Sequence, residues 1–182
     1  MRKRLIGAGL GAFAAIMAVS TPAFAGTADC IYQAMPKAKR DQVDALYDKS
    51  RREGAQAVIY TAEEAFAATQ ACIEEPTEEK VMDALVALAG HEFKLQATRW
   101  FLRQPGVTEA RIEGAWGRVD PAILRASRAG FRDSSDADAQ RILAPAREPF
   151  LRALGVPVTE DSLAYAALYL YGRMALEVYD TP

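Results

Sequence analysis

The stretch SLAYAALYLYGRMALEVY, residues 162–179, is apolar on every side of the helix it predicts, broken only by Gly172, Arg173 and Glu177. A helix without a polar face must be surrounded by the rest of its domain. This segment therefore commits the chain to an all-α fold built around its own C-terminal helix. A bilayer does not fit as the surroundings. The uninterrupted apolar run, Leu163 to Tyr171, falls well short of the ~20 residues a span needs, and Arg173 would lie in hydrocarbon. The four tyrosines of the segment, Tyr165, Tyr169, Tyr171 and Tyr179, are expected to bury their rings and leave their hydroxyls at the core's edge. The sharper alternative is an aromatic ligand pocket involving Tyr165 and Tyr169.

The rest of the chain also reads as helix, with no convincing strand. Pro36 suits the first position of a helix running to Glu53, with Gly54 as its stop. Its apolar stripe is thin: Val43, Leu46 and Tyr47. A second helix over about residues 55–75 carries Val58, Ala62, Ala65, Phe66, Thr69, Cys72 and Ile73 at buried-stripe spacing. Thr77-Glu78, Thr108-Glu109 and Thr159-Glu160 each combine a threonine cap with an acid in the first turn. Asp120-Pro121 and Ser135-Asp136 mark further starts. Pro145 and Pro149 divide the region of about 136–155 into two short helices or one kinked one. The expectation is a bundle-like or orthogonal array of six or seven helices.

The N-terminal residues read as a secretory signal. Arg2, Lys3 and Arg4 precede an apolar run from Leu5 to Val19, then Ser20-Thr21-Pro22 and the small-x-small site Ala23-Phe24-Ala25. No lipobox forms, because Asp29 precedes Cys30. The expected organisation is a signal peptide over 1–25 and one all-helical domain over 26–182, in a periplasmic protein. Removing three positive charges from a chain of net charge −2 leaves −5. Such a balance points away from nucleic acid. Cys30 and Cys72 are the two cysteines, and in an exported chain they are expected to form a disulfide. A metal site or a reactive thiol is the alternative. The spacing fits neither Cys-x-x-Cys redox chemistry nor covalent haem attachment.

AGHEFKLQATRW, residues 89–100, contains the single histidine. On a helix from Thr77 to Gln104, with about 100° per residue from Val81, the stripe Val81, Met82, Leu85, Leu88, Ala89, Phe93 and Trp100 centres near 50°. His91 falls near 280° on the same wheel, which turns it toward water beside Lys94 and Thr98. Glu92, Gln96, Arg99 and Arg103 fall along the middle of the stripe. A buried charge needs a partner, so these four read as a polar seam, as the solvated end of a helix, or as the floor of a cavity that binds an anion on Arg99. Hydrolysis by two carboxylates would need a second inward acid beside Glu92. Glu63 and Glu64 do not supply it cleanly.

Residues 99–132 carry seven arginines against three acids. They form either a binding belt or a surface that pairs with the chain's own acidic helices. No phosphate loop, metal-ligand spacing or nucleophilic triad is present, and no cofactor is expected. The leading expectation is a non-enzymatic interaction or structural protein of the cell envelope, with a protein partner there. Next comes a small-molecule binder whose pocket is formed by the C-terminal tyrosines and the Glu92/Arg99 row. A hydrolase using Glu92 is third.

Overall fold

A computed structural model describes residues 27–49, 61–73, 77–133 and 141–180. The expected signal peptide, the Gly54 stop, Val58 and the Ser135-Asp136 start lie outside these residues. Among the described residues there are eight α-helices and no strand. They are α1 (Thr27–Ala34), α2 (Lys37–Lys49), α3 (Ala62–Gln70), α4 (Glu78–Leu102), α5 (Glu109–Trp116), α6 (Pro121–Asp133), α7 (Arg147–Leu154) and α8 (Glu160–Tyr179). The short helix α1, TADCIYQA, was not anticipated. None of the described helices is long and apolar enough to cross a membrane.

The helix starts follow from local chemistry. Thr77, Thr108 and Thr159 are extended residues whose hydroxyls accept from the backbone N–H groups of Lys80, Arg111 and Ser162. Each hydroxyl satisfies one of the donors a first turn leaves open. α3 opens with a reciprocal box. The Thr61 hydroxyl accepts from the Glu64 N–H, and the Glu64 carboxylate accepts from the Thr61 N–H. This box places the helix start at Thr61, within the stretch expected to be continuous helix from about residue 55. Asp120 caps α6 by accepting from Ala122 N–H at 2.7 Å, with Pro121 at the first position. Pro145 lies in a 3-10 turn, Ala144–Ala146, that leads into α7. α7 ends at Gly155, whose φ of 70° is the left-handed conformation that favours glycine.

α4 and α8 form the centre. They cross where Gly90 meets Gly172 and Ala175: a Cβ on Gly172 would lie 2.4 Å from Gly90 O and 2.7 Å from Lys94 N. Small residues at the crossing let two backbones approach more closely than side chains would allow. α5, α6 and α7 complete the larger core on the far side of this pair. Phe101, Phe150, Leu151, Leu154, Tyr169, Leu170 and Met174 are among its fully enclosed side chains. A smaller core lies on the other side of α4, made by Ile31 and Tyr32 of α1 and Met35 just after it, with Ala68, Ala84 and Leu88. The disulfide Cys30–Cys72 joins α1 to the segment following α3.

α4 is thus buried along two faces, which corrects the single stripe expected for it. The buried residues Val81, Ala84, Leu88 and Glu92 cluster at about 300–20°, and Ala87, Gly90, Ala97 and Phe101 at about 160–240°. Met82, placed on the expected stripe, is 56% exposed, and Ala89 is exposed as well. A stripe drawn through the large apolar residues misses a helix whose contacts are made by alanine and glycine. Phe66 departs in the same way: expected inside, it is 47% exposed, while Ala68 and Thr69 make the buried face of α3.

Candidate functional site

The residues around His91 define the candidate site. α4 carries His91, Lys94, Leu95 and Thr98 along one side, and these four line two adjoining grooves. His91 and Leu95 belong to both, as the ridge between them. One groove, of ≈ 420 Å³, lies between α4 and the helices α1 and α2. The other, of ≈ 290 Å³, lies between α4 and α5.

His91 does not point into open water, as the helical projection implied. α1 covers it. The Tyr32 ring packs on the imidazole at a centroid distance of 4.8 Å. Burial holds the His91 pKa below the usual histidine value, against the opposing pull of Asp29 and Asp180. The imidazole is therefore kept neutral more readily than in water, with one ring nitrogen able to donate and the other to accept.

Glu92 and Gln96 are buried, at 8% and 4% exposure. The Gln96 amide donates to Glu92 Oε1 at 2.8 Å and to Asp44 Oδ1 at 2.7 Å. Both of its hydrogens are thereby used, and two acids are tied to one side chain. Glu92 Oε2 is enclosed and has no hydrogen-bond partner among the described residues. Burial pushes the Glu92 carboxyl above the ordinary value; the Gln96 N–H pulls it down, and Asp44 adds to the rise. Tyr32 belongs to the same cluster, since burial, Glu92 and Asp44 together push its phenol up to about 12. Its ring also lies under the Arg40 guanidinium at 5.3 Å.

The outer half of the row is solvated and paired. Arg99 donates to Asp44, and Arg103 donates to Asp48 at 3.0 Å. Both pairs span 55 residues, and that constant separation means α2 runs parallel to the end of α4. The seam and the solvated helix end expected as alternatives are therefore both present, the first at Glu92 and Gln96, the second at Arg99 and Arg103. The sequence signal for this pairing was available. Asp44 and Asp48 repeat at the same four-residue interval as Arg99 and Arg103, so one helical turn matches one helical turn.

The tyrosines lie elsewhere. Tyr165 stacks on Trp100 at 4.6 Å, and Tyr169 stacks on Phe150 at 5.0 Å. Tyr169 donates its hydroxyl to Glu113 Oε1 at 3.2 Å. Tyr165 and Tyr169 line neither groove. The structure does not bring them together with the Glu92/Arg99 row into one pocket: the row faces α2, while the tyrosine rings pack into the larger core. The arginine-rich segment is also partly accounted for. Arg99, Arg103 and Arg128 pair with Asp44, Asp48 and Glu177 of the chain's own helices.

Among the described residues, no group of three or more His, Cys, Asp or Glu side chains is arranged to hold a metal ion. The chain matches no family model, no curated protein and no solved structure.

Proposed function

We propose that this chain is an exported, non-enzymatic binding protein that takes a small polar molecule in the groove between α1, α2 and α4. One observation carries the reading. The groove, at ≈ 420 Å³, falls within the ~300–1,000 Å³ typical of small-molecule sites and includes Arg99. Tyr32 and His91 give it an aromatic wall. Arg40 and Arg99 offer guanidinium donors beyond those used on Gln33 and Asp44, and they suit an anionic group on the ligand. Glu92 lines neither groove, so a hydrolase reading lacks access to its acid. The disulfide is compatible with a periplasmic location.

Native mass spectrometry of the protein isolated from its own host tests the proposal. The expected spectrum contains a non-covalent small-molecule adduct that is lost or sharply reduced in Arg99→Ala. A bare chain mass for the wild type under gentle ionisation, or an adduct that survives unchanged in the variant, would rule it out.

A further inference from the structure

The second groove has its own chemistry and does not depend on the site proposed above. Lys94 and Thr98 lie one turn apart on α4 and both line it. Among the described residues, the half-buried Lys94 ammonium has no hydrogen bond or ion pair, and the Thr98 hydroxyl has no hydrogen-bond partner. The root of Lys94 is fixed at the α4–α8 crossing, where its backbone N and Cβ would lie 2.7 and 3.2 Å from a Cβ on Gly172.

Arg173 of α8 is a second cation acting on Lys94, and Glu113 of α5 is the acid near it. Glu113 Oε1 already accepts from the Tyr169 hydroxyl at 3.2 Å and from Arg173 at 3.5 Å. Glu113 is thus shared with other donors, and Lys94 makes no direct ion pair among the described residues, with the Thr98 hydroxyl beside it. Leu95 and Ile112 supply apolar walls, and Glu109 adds a further carboxylate. With Glu113 it repels a second negative charge on any ligand. The volume of ≈ 290 Å³ limits the ligand to a short one.

We propose that the groove between α4 and α5 binds a short apolar monocarboxylate. Its carboxylate pairs with Lys94 and Thr98, and its hydrocarbon lies against Leu95 and Ile112. The pairing is a charge-assisted hydrogen bond in a partly desolvated setting, the class in which removal of one partner is most costly.

The test is isothermal titration of the full chain with hexanoate, succinate and hexylamine. Wild type should bind hexanoate, bind succinate more weakly and leave hexylamine unbound. Lys94→Met should weaken hexanoate about tenfold or more. Lys94→Arg should retain part of the affinity, and Thr98→Val should lose only a few-fold. Near-UV circular dichroism establishes that each variant is folded. If Lys94→Met does not fold, the order wild type, Thr98→Val, Lys94→Arg still decides the matter. Three results would overturn the proposal: no hexanoate binding by wild type at about 10 mM, equal hexanoate affinity in the charge-removing variant, or a preference for hexylamine.

Discussion

Gly172→Ala should destabilise the protein, although alanine is the better helix former. On an open helix surface the exchange gains roughly 1 kcal/mol. At the α4–α8 crossing the new Cβ would lie 2.4 Å from Gly90 O and 2.7 Å from Lys94 N. Both are backbone atoms of a long helix and cannot turn aside as the end of a side chain can. Restoring ordinary contact requires the two helices to part by about 1 Å, and a gap of that size forfeits a quarter to a half of each dispersion contact along the interface. Overpacking typically costs about 1–3 kcal/mol, and this case belongs at the upper end because backbone must move. The net expectation is a loss of about 2 kcal/mol. Gly114 provides the internal control, since nothing lies within 4 Å of a Cβ placed there. Gly114→Ala should gain about 0.5–1 kcal/mol. Urea denaturation at unchanged slope measures both, as midpoint shifts of opposite sign. A Gly172→Ala protein as stable as the wild type would show that the crossing is not close-packed, and the account of the α4–α8 core would fail with it.

Two further outcomes follow from features away from that crossing. Cys30→Ser should lower stability by up to about 4 kcal/mol, the chain-entropy value for a loop of this length, while the denatured, unreduced wild type should show no free thiol. A raised Glu92 pKa means that the folded state holds its proton more tightly than the unfolded state. The associated stability is complete below the unfolded value of about 4.3 and is lost as pH rises through the folded value. Glu92→Gln should remove that loss, so its stability relative to wild type should climb as pH rises above about 4.3. A pH-independent difference would contradict the burial argument.

Much of the fold was legible because its signals are local. The apolar sequence of α8 identified the central helix, and the three threonine caps fixed where α4, α5 and α8 begin. The disulfide followed from two cysteines in a chain that reads as exported. The failures came where tertiary contacts decide. α1 is only eight residues long, too short for periodicity to register, yet it alone turns His91 from an apparent surface residue into a covered one. The buried faces of α4 are made largely by alanine and glycine, which carry little weight in any hydrophobic pattern. The Thr61–Glu64 box was visible in the sequence, but Val58 and Ala62 suggested continuous helix through it. Of the candidate site, the row Glu92–Arg103 was found as a row. Its partners Asp44 and Asp48 were not, because their matching four-residue spacing gains meaning only once α2 is known to lie beside α4.

The tether on α1 has a consequence for the order of events in folding. The Ala28 N–H donates to Asp180 Oδ1 at 2.8 Å, across 152 residues, and Cys30 reaches forward to Cys72. α1 walls the groove that holds Tyr32 and His91, so the first described helix completes its seat only when Asp180, the last described residue, has arrived. Contacts of such long sequence separation pay their loop-closure entropy before they return any stability. A chain emerging from its N-terminus therefore cannot assemble this groove early. The groove is finished last, and Asp180→Ala, which removes the acceptor of the Ala28 N–H, should loosen the far end of the sequence.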